Sequence, residues 1–195
     1  MSLAMLGEYD YIVMIDTSSS MGEPYKGRTR WDYMQESVIG FVRDIQELDS
    51  DGIDLVQLGG SLNVWQCVGV DKVRDIFGSM KPRGSTPLAE ALTNALKCAG
   101  KSPKKDFIVC FTDGVPDDQE AARKVILNQA NKQQTDDELT ILFIQVGDDP
   151  SATAYLRQLD DNLKGAKFDI VDAKTIEEAE KFTTTADLIL AAISD

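Results

Sequence analysis

Short apolar segments of strand length alternate along this chain with longer segments in which apolar residues recur every three or four positions. The first pattern is typical of buried β-strands and the second of amphipathic helices. The predicted strands cover residues 10–15, 53–58, 62–68, 106–112, 139–146 and 167–171. The predicted helices cover residues 31–48, 71–79, 87–99, 119–133, 149–163 and 174–194.

The order of these elements predicts a mostly parallel sheet with helices on both faces. Gly59-Gly60-Ser61 lies between two predicted strands and favours a hairpin, so one edge strand should run antiparallel. We therefore predict a doubly wound, Rossmann-like α/β fold with a central six-stranded sheet. Ligands of such folds bind at the carboxyl edge of the sheet, where the strand order reverses.

The length of 195 residues favours one domain, which we expect to cover residues 8–195. We expect residues 1–7 to be a tag or a disordered segment, because they include two methionines and no basic stretch. No apolar run approaches the roughly 20 residues that a membrane span needs. The sequence therefore predicts no membrane segment.

Charge and composition exclude several classes of function. The net charge of −13 argues against nucleic acid as the main partner. The absence of histidine excludes Ser-His-Asp and Cys-His catalysis and the commonest zinc sites. The three cysteines, Cys67, Cys98 and Cys110, are widely spaced in apolar segments, which predicts buried free thiols in a reducing, cytoplasmic setting.

Oxygen-bearing side chains follow the predicted strands at the carboxyl edge of the sheet. Asp16, Ser18 and Ser20 come directly after the first strand, and Asp113 follows the strand 106–112. Thr86 stands just before the helix that starts near residue 87. In the usual doubly wound order, the first strand and the strand before Asp113 are central neighbours, so these side chains should converge on one crevice.

Carboxylate and hydroxyl oxygens are the ligands that magnesium prefers, about six of them at about 2.1 Å with some water retained. Asp16 and Asp113 would balance the charge of a divalent cation, and Ser18, Ser20 and Thr86 would add neutral ligands. With only two acids, the ion stays Lewis-acidic and has a position for a carboxylate from a partner. The sequence therefore predicts a site for Mg²⁺, with Mn²⁺ or Ca²⁺ as alternatives.

Each of these residues also has an ordinary structural explanation. Ser18 and Ser20 are typical turn or N-cap residues, and Asp113-Gly114 is typical of a tight turn. Thr86 is a plausible N-cap for a helix that opens with Pro87. The metal site is favoured because all three segments fall at the same predicted edge of one sheet.

The sequence resembles the von Willebrand factor A (vWA) domain family over about residues 8–193. The first loop, Asp16–Gly22, matches the D-x-S-x-S motif of that family. Residues 84–92 (GSTPLAEAL) match the segment that supplies its threonine, and residues 111–114 (FTDG) match its second aspartate. The resemblance implies a mostly parallel sheet with one antiparallel edge strand.

The resemblance also implies a metal-ion-dependent adhesion site (MIDAS), usually occupied by magnesium. By that resemblance, Ser18 and Ser20 would bind the metal directly, while Thr86, Asp16 and Asp113 would bind it directly or through water. The family generally binds protein partners and is not catalytic. The acidic chain without an evident disulfide is similar to the intracellular, stand-alone microbial branch, which works in multiprotein assemblies and sometimes with AAA+ ATPases.

Two further features admit alternative interpretations. A cationic rim that recognises an acidic partner group is one interpretation of the basic residues near the site, and simple solvation is the other. These residues are Lys26, Arg28, Arg30 and Arg83. The predicted last helix, 174–194, contains Thr183-Thr184-Thr185, which are weak helix formers. This helix is either a static amphipathic helix or an element that moves when ligand binds, as in some family members.

A magnesium-dependent phosphotransfer or receiver-like domain is the alternative function. Receiver domains also place acids and a metal at the carboxyl edge of an α/β sheet, but they need a lysine after a late strand. The strand 139–146 ends without lysine, and Ser18 stands where a dehalogenase-like phosphatase has its second aspartate. Both phosphate-binding glycine motifs are missing from the sequence. The sequence thus favours a binding module over an enzyme.

Overall fold

A computed structural model describes residues 3–194 of the chain. The strands are β1 (Tyr9–Asp16), β2 (Pro24–Tyr25), β3 (Arg28–Thr29), β4 (Ile53–Leu58), β5 (Val64–Val68), β6 (Lys105–Thr112), β7 (Leu139–Gln145) and β8 (Val171–Thr175). The helices are α1 (Arg30–Gln46), α2 (Val70–Ser79), α3 (Leu88–Cys98), α4 (Gln119–Lys132), α5 (Pro150–Asp161), α6 (Ile176–Ala179) and α7 (Thr185–Ile193). Short 3-10 helices cover Leu3–Glu8, Ser19–Gly22 and Asp136–Glu138.

Six strands form one sheet in the order β5-β4-β1-β6-β7-β8. All neighbouring pairs are parallel except β4 with β5, which confirms the predicted antiparallel hairpin. The strand order reverses at β1, which pairs with β4 on one side and with β6 on the other. This reversal places the carboxyl ends of β1 and β6 side by side, where a ligand crevice is expected.

Both faces of the sheet are buried, as expected for parallel strands. Alternate residues of β1 divide between two apolar clusters: Tyr11, Val13 and Ile15 face one, and Ile12 and Met14 face the other. Helices α1, α2, α6 and α7 cover the first face, and α3, α4 and α5 cover the second. The predicted doubly wound α/β fold is confirmed. Among residues 3–194, no helix is both long and apolar enough to cross a membrane.

The last strand differs from the prediction. The sequence analysis placed it at 167–171, but β8 begins only at Val171 and pairs with β7 from Ile141 to Gln145. An edge strand needs fewer apolar residues than a central one, and β8 carries the charged residues Asp172 and Lys174 at alternate positions. These two side chains form an ion pair with an N···O distance of 2.6 Å, so their charges compensate each other.

The predicted last helix, 174–194, is also wrong as a single element, because it is divided into α6 and α7. Thr175 begins α6 with a capping box that includes Glu178. Thr184 adopts an extended conformation and accepts a hydrogen bond from the Asp187 N–H, as the N-cap of α7. Threonine competes for backbone donors in this way, which favours a helix start over a helix interior.

The structure also bears on the expectations for the first residues and for the cysteines. Of the segment 1–7, residues 1 and 2 lie outside the described residues, while Leu3–Glu8 is a 3-10 helix in which Leu6 is fully buried. The cysteines are free, and Cys98 and Cys110 are buried as expected. Cys67 is exposed, contrary to the expectation, because it lies on the edge strand β5, where only Val68 is buried.

Candidate metal centre

The two predicted aspartates meet at the carboxyl ends of β1 and β6. Asp16 is the last residue of β1, and Asp113 directly follows β6. Both side chains are buried. The parallel register pairs Ile15 with Phe111, so the strands end at nearly the same level and their acids enter one crevice.

Both carboxylate oxygens of Asp16 are held by hydrogen bonds. The backbone N–H of Ser18 donates to Oδ1 at 2.8 Å, and the Thr112 hydroxyl donates to Oδ2 at 2.6 Å. Burial and, to a smaller extent, the nearby negative charge of Asp113 together raise the pKa of Asp16 to about 6, against the opposing effect of these bonds. The site therefore favours an added positive charge.

A chain of hydroxyls links the first loop to Asp113. The Ser20 hydroxyl donates to Oδ1 of Asp113 at 2.9 Å. Ser18 Oγ and Ser20 Oγ lie 3.1 Å apart, and since the Ser20 proton is directed to Asp113, Ser18 is the donor of this second bond. Ser20 lies in the short 3-10 helix that curls the loop back over the sheet edge. The structure thus brings Ser18, Ser20 and both aspartates together.

Thr86 reaches the same edge through the segment before α3. This segment is fastened to the first loop, because Ser19 N–H donates to the Gly84 carbonyl at 3.0 Å and Arg83 N–H to the Thr17 carbonyl at 2.7 Å. Pro87, not Thr86, is the N-cap of α3. Thr86 is a buried residue, and among residues 3–194 none forms a hydrogen bond with its hydroxyl, so the oxygen is free to accept or donate.

Arg30 lies inside the site. It is the first residue of α1, its side chain is only 16% exposed, and Nη1 donates to Oδ2 of Asp113 at 2.8 Å. The sequence analysis grouped it with exposed rim residues, because nothing in the local sequence reveals the distant Asp113. Both oxygens of Asp113 are thus in use, one with Ser20 and one with Arg30.

The other three predicted rim residues are exposed. Lys26 forms an ion pair with Glu177 at 3.0 Å and Arg28 one with Glu36, so each has a partner within the chain. Within the described residues, Arg83 forms no ion pair, and its backbone is bonded to the first loop. Of the three, Arg83 is the cation most available to a partner.

Sequence reasoning missed Gly59 as a residue of the site. Its φ of +110° favours glycine, and a Cβ there would lie 2.9 Å from Thr17 Oγ1 and 3.2 Å from the Ser18 nitrogen. Gly59 therefore allows the turn after β4 to lie directly against the first loop. The Gly59-Gly60 pair was interpreted only as a hairpin signal, whereas its closeness to Thr17 depends on the β1–β4 pairing.

The donor set fits a divalent cation. Two buried carboxylates face one guanidinium, so the site carries one uncompensated negative charge, and hard oxygens are what Mg²⁺, Mn²⁺ and Ca²⁺ bind. Among residues 3–194, no three acidic, cysteine or histidine side chains cluster as metal ligands. The candidate set has only two acids, with the hydroxyls of Ser18 and Ser20 beside them and Thr86 in the adjoining segment.

Comparison with known protein families matches the first part of the chain to one family. The model of the von Willebrand factor type A domain matches residues 11–115, just over half of the sequence. This range contains Asp16, Ser18, Ser20, Thr86 and Asp113. A search of functionally curated proteins finds no significant match.

Solved structures share the fold at low identity. A point mutant of the PilB minor pilin from Streptococcus sanguinis gives a TM-score of 0.62 at 14% identity over 96% of this chain, which spans 60% of the pilin chain. Manganese-loaded TRAP protein from Plasmodium vivax gives 0.58 at 18% identity, covering 96% of this chain and 74% of that chain. The SpRpn10 VWA domain gives 0.57 at 14% identity, with 93% of both chains covered.

Proposed function

We propose that this chain, which belongs to the von Willebrand factor type A domain family, binds an acidic group of a protein partner through a divalent metal. Domains of this family are generally protein-interaction modules. The observation that carries the proposal is the hydroxyl chain from Ser18 through Ser20 to Asp113, beside the buried Asp16. It gathers hard oxygens from loops far apart in sequence at one point.

Mg²⁺, or Mn²⁺ or Ca²⁺ in its place, would supply a Lewis-acidic position for the partner's carboxylate. Ser18 and Ser20 would bind it directly, and Asp16, Asp113 and Thr86 directly or through water. Thr112 and the Ser18 N–H hold Asp16 in its orientation. The manganese in the similar TRAP structure supports a metal in this fold.

The partner would be a protein that presents an acidic side chain, in a multiprotein assembly that could include an AAA+ ATPase. Arg83 at the edge of the site would add attraction for an acid, with Lys26 and Arg28 further members of the proposed rim. We propose a cytoplasmic setting, which the buried free Cys98 and Cys110 support. We propose no catalytic role, because the chain has no histidine and Ser18 stands where a dehalogenase-like phosphatase has its second aspartate.

Thermal melting in EDTA, Mg²⁺, Mn²⁺ and Ca²⁺ tests the metal. A ligand that binds only the folded state, at about 100 times its Kd, stabilises by about 2.7 kcal/mol, which raises Tm by about 5–10 °C. We expect this shift in the wild type and its loss in Asp16→Ala with Ser18→Ala. The matched control is Asp71→Ala with Ser61→Ala, which removes an acid and a hydroxyl from exposed positions.

Two results would overturn the proposal. One is no metal-dependent shift in the wild type, and the other is an equal shift in the Asp16 and Ser18 variant. Partner chemistry is tested with a glutamate-containing peptide and its glutamine counterpart. We expect the glutamate peptide to bind when metal is present and the glutamine peptide not to bind. The glutamate peptide should not bind the Asp113→Ala variant.

A further inference from the structure

We infer that Arg30 makes this site selective for an anionic ligand and at the same time weakens its hold on the metal. The inference rests on the proposed metal-dependent function and assigns the residue that sets the charge of the site. It predicts effects of opposite sign on two separate affinities.

Arg30 is built into the centre of the site. Its backbone N–H donates to the Glu23 carbonyl at 3.0 Å, at the point where the chain enters α1. From there Nη1 reaches Oδ2 of Asp113 at 2.8 Å, while Ser20 donates to Oδ1 of the same carboxylate. Among residues 3–194, this is the one ion pair that involves Asp16 or Asp113.

Gly147, just after β7, leaves room for the guanidinium because it has no side chain. Its φ is +116°, and a Cβ there would lie 2.8 Å from Arg30 Nε and 3.3 Å from Cζ. Nε is buried and donates to no residue in the described range. The guanidinium therefore packs closely against Gly147 and pairs with Asp113, and no second acid among residues 3–194 forms an ion pair with it.

The net charge of the site determines which ligand charge it binds best. Asp16, Asp113 and Arg30 together carry a net charge of −1, so a divalent ion brings the site to +1. With a neutral residue at position 30, the occupied site would carry no net charge. Because all these groups are largely buried, charge differences are screened less than at the surface. An anionic ligand restores neutrality only when Arg30 is present.

The same geometry makes Arg30 repel the metal ion. Both cations interact with Asp113, and like charges in a buried site repel each other. Arg30 therefore lowers the affinity for the metal while raising the affinity of the occupied site for a carboxylate. A residue with a merely structural role would change both affinities in the same direction.

Calorimetric titration of Arg30→Gln tests these signs. Mn²⁺ affinity is measured on EDTA-treated, dialysed protein, and the affinity for a glutamate peptide on Mn²⁺-saturated protein, with the glutamine peptide as the neutral reference. We expect Mn²⁺ to bind at least about fivefold more tightly and the glutamate peptide at least about fivefold more weakly than in wild type.

Three further variants complete the test. Arg30→Lys keeps the charge and should stay close to wild type in both affinities. Arg43→Gln, an exposed residue of the same helix, makes the same change in net charge away from the site and should change neither. Arg30→Met keeps an apolar stem in the packed position, and replaces Arg30→Gln if that variant does not fold.

The outcomes separate the two proposals. If wild type binds no metal, the proposed function is wrong and this inference with it. If wild type binds metal and peptide, but the uncharged Arg30 variants lower both affinities or change neither, the proposed function stands and the inference is overturned. An Arg30→Lys variant that behaves like Arg30→Gln would also contradict it.

Discussion

Thr112 donates a 2.6 Å hydrogen bond from its hydroxyl to Oδ2 of Asp16, across the junction of β6 and β1. Thr112 is the last residue of β6, and Asp16 is the last residue of β1. The bond therefore ties the ends of the two central strands together and fixes one carboxylate of the site. It also satisfies a buried acceptor that would otherwise lose its contact with water.

Thr112→Val should destabilise the folded protein by about 1–3 kcal/mol, because it leaves Asp16 Oδ2 buried without its donor. Urea unfolding in EDTA measures this cost. Thr140→Val is the matched control, since Thr140 is a buried strand residue whose side chain forms no hydrogen bond within residues 3–194. Equal costs for the two variants would show that the Thr112–Asp16 bond contributes nothing specific.

Gly59→Ala should cost about 2–3 kcal/mol and disturb metal binding, because the new Cβ would meet Thr17 Oγ1 at 2.9 Å in a backbone conformation with positive φ. Gly27→Ala provides the comparison. Gly27 also has positive φ, but a Cβ there meets nothing within 4 Å. We expect about 1 kcal/mol at Gly27 and no effect on metal affinity. If both variants behave alike, contact with the first loop is not what requires glycine at position 59.

Thr184→Ala should destabilise the protein by about 1 kcal/mol, because the Thr184 side chain accepts a hydrogen bond from the Asp187 N–H at the start of α7. Amide hydrogen exchange should show the loss of protection at the first turn of α7. The neighbouring Thr183→Ala lies outside both helices and should leave exchange in α7 unchanged. Equal loss of protection in the two variants would contradict the cap.

The stability of the protein should depend on pH through Asp106. Burial and, to a smaller extent, the negative charge of Asp10 on the neighbouring strand raise the pKa of this carboxyl to about 6, against a hydrogen bond from the Gly100 N–H. The folded state therefore holds the Asp106 proton more tightly than the unfolded chain does. This contribution to stability is complete below about pH 4 and is lost as the pH rises through about 6.

Asp106→Asn removes the titration. The free energy of unfolding of the wild type should fall by about 1–2 kcal/mol relative to this variant between pH 4 and pH 7, a value reduced from the full shift to allow for solvent screening. Urea unfolding of both proteins at each pH gives the difference directly, and other acids cancel in it. A constant difference across this range would contradict the raised pKa.

The alternation of apolar strands and amphipathic helices was enough to predict the sheet and its crevice. Parallel strands end at one edge, so Asp16 and Asp113 could be placed together without knowing any contact. The partners of these residues were harder to predict. Arg30 looked like its exposed neighbours Lys26 and Arg28, because only the folded chain brings α1 beside Asp113.

The carboxyl-terminal part was predicted less well, for a local reason. The six-position apolar stripe from Ile176 to Ile193 has helical spacing, but it says nothing about where a helix stops. Thr184 ends the continuity by taking an extended conformation and capping α7 with its own side chain. Similarly, β8 was not predicted at its true position, because Asp172 and Lys174 interrupt its apolar pattern and only its first three residues are buried.

The pairing of β1 with both β4 and β6 has a consequence for the order of folding. Tyr9 pairs with Lys105, 96 positions later in the chain, whereas Ile12 pairs with Asp54, only 42 positions later. During synthesis, β1 can meet β4 long before β6 exists, so one side of β1 stays open until about residue 112 has emerged. An open strand edge invites incorrect pairing, and closing so distant a contact is slow. We therefore expect the pairing of β6 with β1 to be slower and more open to error than the pairing of β4 with β1.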